Sequence, residues 1–487
     1  MTSPKQNVVK AALAILENNN DFKYITLGET MDVTSSIFRA YDIRGVVKTD
    51  LRPDVVLLIG KAIGTLYPDC KKVAIGRDGR LTSKELSDNL IKGLRSTGID
   101  VIDIGEVPTP VLYYATHSLE TGSGLMVTGS HNPPEYNGIK MVMGEKTLFG
   151  DMIQEIYECI EKANFNNGTG NLEQINVLED YLKTICNDVK LKRPLSIAID
   201  CGNGVAGPTA IKLFNSLGCS TVNELFCDID GTFPNHHPNP SEPENLEDLI
   251  KTVIDNKLDL GLAFDGDGDR VGIVDEHGEV LWADRQMMLY AQDVLSRNPG
   301  AEIIFDVKSS RNLATYIEQA GGKATMWKTG HSFIKNKMKE TGALLAGEMS
   351  GHIFFKERWF GFDDGLYSAA RMLEILAADP RPVSEIFNDL PNDISTPEIT
   401  VTLETDGAQH EFIKKFIEQS NFAGAKLSTI DGVRADFDYG WGLVRASNTT
   451  PSLVIRFEAE SEEKLEQLKE NFKFQIHAVD STINLPF

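Results

Sequence analysis

The sequence predicts an α/β protein: three similar mixed α/β domains with largely parallel sheets, plus a C-terminal α+β domain, arranged around a central cleft. Three observations carry this expectation. One order recurs three times: an apolar strand ending in a polar loop, a helical stretch, a second strand, and a third strand that breaks into a glycine-bearing polar loop. After Asp379-Pro380-Arg381-Pro382 the alternation stops, and closely spaced strand patterns follow, as in an antiparallel sheet. Finally, 487 residues are too many for one core and suit about three or four domains of ordinary size.

The expected division is an N-terminal extension at 1–35, then domains at 36–176, 177–279, 280–391 and 392–487. Lys5 to Asn18 has weak helical periodicity, which Asn18-Asn19-Asn20 ends. No basic region followed by an apolar core and a small-residue cleavage site opens the chain, and Ala11 to Leu16 is too short for a signal peptide. The reading is therefore a cytoplasmic protein. No apolar run approaches the ~20 residues of a membrane helix. Six scattered cysteines without a CxxC pair read as free thiols in core gaps rather than a disulfide framework or zinc site.

Charge narrows the partners. With 48 basic and 71 acidic side chains the net charge is −23, which argues against nucleic acid or an anionic membrane, since both need a basic face. An anionic small molecule is not excluded, because exposed charges are screened beyond ~8 Å at physiological salt. Several basic residues fall in the loops assigned to the site. The expectation is a positive cleft on an acidic body.

Phe38 to Gly45 packs two arginines, two aromatics and a glycine into eight residues. An arginine fork suits phosphate or carboxylate; a surface salt bridge is the plainer alternative. The three first strands are Lys72 to Asp78, Ser196 to Gly202 and Glu302 to Lys308, with second strands near Val101, Thr221 and Thr325. Parallel sheets collect ligands at strand ends, so three copies of one unit would present three loops to one cleft.

The first of those loops follows the apolar run Leu125-Met126-Val127 and reads Thr128-Gly129-Ser130-His131-Asn132 before two prolines. Gly129 lets the backbone turn sharply and leaves the serine hydroxyl presentable. Serine alone is a poor nucleophile and needs a base, a metal or a lowered pKa nearby; His131 and Lys140 are near in sequence. A turn serine with a turn-stabilising His-Asn pair would look the same.

In the second loop, Asp265-Gly266-Asp267-Gly268-Asp269-Arg270, carboxylates at alternate positions of an extended segment project to one side, and the glycines let the backbone curl them round a cation. All-oxygen ligands favour magnesium or calcium over zinc. An EF-hand is rejected: Glu276 falls at its twelfth position, but Arg270 stands where that loop needs glycine, and the flanks LGLAF and VGIV read as strands. Three aspartates would repel a pyrophosphate, which excludes a dinucleotide loop.

The third loop, Gly347-Glu348-Met349-Ser350-Gly351-His352, offers hydroxyl-binding acceptors and a titratable ring. In the last domain, strands are expected at Ile399 to Leu403, Gly432 to Phe437, Gly442 to Ala446 and Leu453 to Glu458, with helices from about Gln409 and Glu462. Between two of these strands lies Arg445-Ala446-Ser447-Asn448-Thr449-Thr450-Pro451, which suits a phosphate cradle or a polar hairpin equally.

TGSHNPPEYNGIK, residues 128–140, resembles the phosphoserine loop of the α-D-phosphohexomutase superfamily. Together with DGDGDR and GEMSGH, it makes the chain most similar to the bacterial phosphomannomutase/phosphoglucomutase branch from about Ile37 to the C-terminus. The resemblance implies a serine that carries a phosphoryl group between turnovers, and Mg²⁺ held by Asp265, Asp267, Asp269 and a phosphoserine oxygen of Ser130. It places Arg270 beside the transferring phosphoryl, Arg44 near Ser130, and Lys140, His131, Arg44 and His352 as unranked proton-handling candidates. Tyr41 becomes a substrate contact, Glu348 and Ser350 the sugar-reading residues, and Lys308, Lys328 and His331 further contacts. Arg445, Ser447, Asn448 and Thr449 become the phosphate loop, although the family more usually has glycine where Asn448 stands and glutamate where Thr450 stands. The implied activity is reversible transfer of phosphate between C1 and C6 of mannose and glucose phosphates through a hexose 1,6-bisphosphate, with glucose or mannose 1,6-bisphosphate as activator. The implied partners are small hexose phosphates and the expected state a monomer. The alternatives are a phosphoglucosamine mutase, a metal-dependent sugar-phosphate phosphatase and a non-catalytic sugar-phosphate binder. The last domain is expected to swing and close over the site.

Overall fold

The computed structural model describes residues 33–405, 407–448 and 450–487; most of the expected 1–35 extension, with its Lys5 to Asn18 pattern, lies outside them. Ser35–Phe487 forms one compact unit built on four sheets. In the first, Gly124–Val127, Lys72–Arg77, Asp100–Glu106 and Leu172–Gln174 run parallel in that spatial order. Tyr136–Met143 returns antiparallel along Gly124–Val127, and Ile43–Val46 pairs on its far side. The second sheet repeats this plan: Leu260–Phe264, Ser196–Asp200 and Thr221–Leu225 are parallel, and Val271–Asp275 returns antiparallel. So does the third, with Leu345–Gly347, Glu302–Asp306 and Lys323–Trp327 parallel and Ile353–Phe355 returning.

This shared plan locates the chemistry. In each copy the third strand lies beside the first and then reverses, so its polar loop becomes a hairpin connection anchored in the sheet at both ends. Residues 128–135, 265–270 and 348–352 are those connections. The DGDGDR loop therefore runs from strand to strand, not between the helices of an EF-hand.

The fourth sheet is antiparallel throughout, in the order Ile394–Ser395, Ser452–Ala459, Gly440–Ala446, Val433–Phe437, Lys426–Ser428, with Ile399–Thr402 also on Ser452–Ala459. Helices Ala408–Gln419 and Glu462–Val479 cover it. The edge strands at 394 and 426 are two and three residues long and mostly exposed, too short for an alternating pattern to announce them. Among the described residues, no helix is long and apolar enough to cross a membrane. All six cysteines are free thiols.

Packing divides the molecule unequally. One apolar core continues from Ala74 through Ile197, Phe264 and Ile303 to Leu390, so the first three units share it. The last unit has a core of its own, from Val401 to Ile483. Its junction with the third unit joins a small apolar cluster, Val307 with Trp441 and Leu443, to polar contacts: Arg311 Nε donates to Asp393 at 2.9 Å, and Arg434 Nη1 donates to the carbonyls of Val307 at 2.8 Å and Ser309 at 2.7 Å.

Within the shared core, the loop 356–364 stitches the units together. Trp359 stacks on Tyr367 with ring centroids 4.2 Å apart, and Phe360 lies on His117 at 4.9 Å. Asp364 caps the helix Gly365–Ala378, accepting from Tyr367 N at 2.8 Å, from Tyr181 Oη at 2.9 Å and from Trp359 Nε1 at 3.2 Å. Burial pushes its carboxyl up to about 7, against these donors. A carboxyl held above its unfolded value binds its proton more tightly in the folded state. Its stabilisation is complete below the unfolded value near ~4 and is lost as the pH rises through 7. Asp364→Asn carries no such dependence, so denaturant unfolding is expected to show wild-type stability, relative to this variant, falling by about 2 kcal/mol between pH 5 and pH 8.

Candidate active site

The three hairpin loops and the Arg445 loop meet at a cavity of about 680 Å³. Tyr41, Arg44, Ser130, His131 and Lys140 come from the first unit, Arg270 from the second, Lys308, His331, Glu348, Ser350 and His352 from the third, and Arg445, Ser447 and Asn448 from the fourth. Thr449 lies outside the described residues. Lys328 does not line the cavity; its ammonium sits over the Phe333 ring, 5.2 Å from the centroid. Six Lys and Arg side chains against four Glu line the cavity, a cationic site in an acidic chain.

A larger cavity of about 810 Å³, walled by Lys190, Arg297, Arg358 and Arg381, contains none of these residues. Its arginines are taken up by Asp293, Glu374 and Asp389. Volume alone does not mark the site.

Ser130 is 4% exposed and sits in the left-handed region at φ 49°. Its amide donates to Thr128 Oγ1 at 2.8 Å, while Oγ donates to Asp265 Oδ2 at 2.9 Å and lies 3.2 Å from His131 Nδ1. That approach needs a glycine at 266, where a Cβ would stand 2.3 Å from the Ser130 carbonyl oxygen. Two loops more than a hundred residues apart are thus in backbone contact.

Asp265, Asp267 and Asp269 are fully buried, with carboxylate oxygens within 4.8 Å of one another. Asp265 also accepts from Arg270 Nε at 3.0 Å and from the amides of Gly268 and Arg270. Burial and the two neighbouring carboxylates push it up to about 6, with Arg270 pulling the other way. Lys140 Nζ bridges Asp267 Oδ2 at 2.7 Å and Asp269 Oδ2 at 2.5 Å. Burial works against the ammonium, but the two carboxylates outweigh it and hold Lys140 charged.

The donor set fits a hard divalent cation. All ligands are oxygens, and Asp267 Oδ1 and Asp269 Oδ1 have no hydrogen-bond partner although both are buried. His352 Nε2 stands 3.3 Å from the latter without hydrogen-bond alignment. Arg270 Nη2 is a second kind of orphan: a buried donor with no acceptor, on a side chain lining the cavity.

The remaining predicted residues divide into two walls. On one, His352 Nδ1 lies 3.1 Å from Glu348 Oε2 and 3.0 Å from Ser350 Oγ, and Glu348 also accepts from Gly330 N. Burial opposes the His352 charge, but Asp269 and Glu348 outweigh it and raise the ring to about 9. His331 stacks on His352 at 5.7 Å with neither ring nitrogen hydrogen-bonded, Nδ1 lying 3.6 Å from Asp363 Oδ2, and Tyr41 meets it edge-on. His131 and His331 are both pushed well below the usual imidazole range, by burial first and then by nearby cations. On the other wall, Arg445 Nε donates to Asp431 at 3.0 Å and Lys308 Nζ to Glu398 at 2.9 Å. Arg44 pairs with Asp42 at 2.5 Å.

Several partners escaped the sequence reading. Thr109 Oγ1 donates to Asp267 at 2.5 Å, Asn239 Oδ1 accepts from Arg270 at 3.2 Å, and Lys335 pairs with the buried Asp363 at 2.9 Å. Asp431, Glu398 and Arg456 complete the second wall. Each is a lone polar residue outside the three loops, and no spacing pattern singles it out.

Comparison with known proteins identifies the family of the chain. The first three units match the "Phosphoglucomutase/phosphomannomutase, alpha/beta/alpha" domains I over 35–167, II over 179–278 and III over 282–394, and the C-terminal domain of the same family matches 398–473. The phosphomannomutase/phosphoglucomutase of Pseudomonas aeruginosa PAO1 is 55% identical over 455 residues, covering 93% of this chain and 98% of that protein. A phosphoglucomutase of Neisseria meningitidis serogroup A is 52% identical over 452 residues, covering 92% and 98%. The crystal structure of a phosphoglucomutase/phosphomannomutase family protein from Burkholderia thailandensis superposes with a TM-score of 0.88 at 49% identity, covering 94% of this chain and all of that one. With all four domains matched and the serine, aspartate and arginine loops brought to one cavity, the chain belongs to the phosphoglucomutase/phosphomannomutase family of the α-D-phosphohexomutase superfamily.

Proposed function

We propose that this protein transfers a phosphoryl group reversibly between C1 and C6 of mannose and glucose phosphates, through phosphorylated Ser130 and a hexose 1,6-bisphosphate. The observation that carries the reading is the 2.9 Å contact between Ser130 Oγ and a buried carboxylate cluster, in a cavity whose far wall holds a second arginine loop. One anion-binding end would make a hydrolase sufficient. Two ends, with hydroxyl-reading groups between them, suit a sugar that must bind in either direction.

In the forward half-reaction the free sugar hydroxyl attacks the phosphorus on Ser130, an oxygen–phosphorus bond forms to the sugar, and the bond to Oγ breaks. The sugar hydroxyl gives up a proton and the serine oxygen takes one, so none is lost overall. His131, held neutral and 3.2 Å from Oγ, is placed to take the Ser130 proton when the serine is phosphorylated and, once protonated in that step, to return it when Oγ leaves. Arg270 Nη2, a buried donor without a protein acceptor, donates to phosphoryl oxygen. Lys140, fixed as a cation, contributes charge rather than basicity. Asp265, Asp267 and Asp269 would hold Mg²⁺, which supplies positive charge for the phosphoryl oxygens when bound. Such electrostatic and positional effects must account for most of the ~20 kcal/mol by which phosphate-ester barriers are lowered.

Arg445, Ser447 and Asn448 grip the phosphate that does not react, while Glu348, Ser350, His331, Tyr41 and Lys308 read the hexose. After one transfer the bisphosphate turns over, and the other phosphoryl returns to Ser130. Access of water to the phosphoserine must be limited meanwhile, and the junction of the last unit, which has its own main core and shares only a small apolar cluster with the third unit, suits opening and closing. The reading carries with it a cytoplasmic monomer acting on small hexose phosphates and primed by a hexose 1,6-bisphosphate.

Incubation with a hexose 1,6-bisphosphate labelled in phosphate, followed by peptide mapping, is expected to place the label on Ser130; label elsewhere overturns the mechanism. Turnover of mannose, glucose and glucosamine phosphates side by side decides the sugar class, and release of inorganic phosphate without bisphosphate dependence would mark a phosphatase instead. Ser130→Ala is expected to lower kcat by about 10⁴-fold or more while glucose 1-phosphate still binds by calorimetry. Chelation followed by readdition of Mg²⁺ should abolish and restore activity in the wild type, with no recovery in Asp267→Asn at the same Mg²⁺ concentration. Arg445→Ala should raise KM for both the 1- and 6-phosphates by about 10- to 100-fold.

A further inference from the structure

We propose that Arg80 is the positioning residue of the serine loop: its guanidinium gathers the loop's carbonyl groups on one side, which fixes the backbone turn that aims Ser130 Oγ at Asp265. Arg80 lies outside the three hairpin loops, just past the first strand of the first unit, and is 3% exposed. Nη1 donates to the carbonyls of Pro133 at 2.6 Å and Tyr136 at 3.1 Å. Nη2 donates to those of Ser130 at 2.8 Å and Asn132 at 2.5 Å. Four main-chain oxygens from one seven-residue segment thus converge on one side chain.

Three further contacts make this a built arrangement. Asp78 stands 3.3 Å from Arg80 Nε and accepts from Gly129 N at 3.1 Å, so cation and carboxylate hold the same turn from both of its polar sides. Gly129 must be glycine because a Cβ there would meet the Arg80 guanidinium at 2.5 Å. From the second unit, the Phe233 ring lies 4.9 Å from Arg80 Cζ, which closes the guanidinium off from water.

The chemical consequence rests on the phosphoserine reading above. A left-handed serine is costly unless its surroundings hold it there. The carbonyl oxygens held by Arg80 are also unable to turn toward incoming phosphoryl oxygens, where like partial charges would repel. Arg80 therefore acts through the loop on the chemical step and not on the hexose or the distant phosphate. Lysine keeps the charge opposite Asp78 but presents one nitrogen, which cannot reach four carbonyls in a planar fork.

The test compares Arg80→Lys, Arg80→Ala and wild type with glucose 1-phosphate, normalised to folded protein by circular dichroism. Expected are a kcat loss of about 100-fold in both variants with KM within about threefold of wild type. Added guanidinium, well below unfolding concentrations, should restore part of the Arg80→Ala activity, and methylammonium should not. If Arg80→Ala does not fold, Arg80→Lys decides alone. Retention of kcat within about threefold by Arg80→Lys, or equal rescue by methylammonium, overturns the proposal. Should wild type itself fail to turn over hexose phosphates, the function reading falls, but the positioning claim is still decided by amide exchange. Faster exchange at 128–137 in Arg80→Lys supports it, and unchanged exchange refutes it.

Discussion

Three carboxylates with no access to solvent, crowded within 4.8 Å of one another, are the constraint on which the rest of this structure depends. Buried charges of one sign are tolerable only if opposite charge is brought to them. Here that charge arrives from another sequence region as Lys140 and from the loop itself as Arg270. The two carboxylate oxygens without a hydrogen-bond partner, Asp267 Oδ1 and Asp269 Oδ1, are the donors a hard cation would take. Bringing Lys140 and Ser130 to the aspartates requires two sheets to meet loop against loop, and the Gly266–Ser130 backbone contact is where they do.

Much of this was legible in the sequence because chemistry and architecture share a signal. A short apolar run that breaks into glycine and polar residues is both a strand end and a ligand loop, so TGSHNP, DGDGDR and GEMSGH announced themselves together. Their convergence followed from the threefold order of strands. The residues that escaped notice are of another kind. Asp363, Asp431, Glu398 and Thr109 act as counter-charges or hydrogen-bond partners, selected by proximity in space and not by any periodicity. Lys328, named on the family resemblance and not on a pattern of its own, holds its ammonium over the Phe333 ring, 5.2 Å from the centroid. Short edge strands in the last unit were invisible for want of residues to alternate.

The two walls of the cavity are made differently. The wall bearing Ser130, the aspartates and the 348–352 loop is carried on units that share one apolar core, so its distances are fixed by close packing. The wall bearing Arg445 is built largely on a unit with a separate core, joined through a small apolar cluster, hydrogen bonds and ion pairs. A site that must hold a reactive centre still while admitting and reorienting a ligand needs such a division of labour.

That division also decides how the protein fails. The module with its own core can loosen while the other three remain assembled, since few apolar contacts tie it down. If Ser130 carries the phosphoryl group as proposed, a molecule damaged in this way would keep its phosphoserine and lose the cover over it, spending phosphoryl groups on solvent. Heat or ageing would then convert a conservative catalyst into a leaky one before it became an inert one.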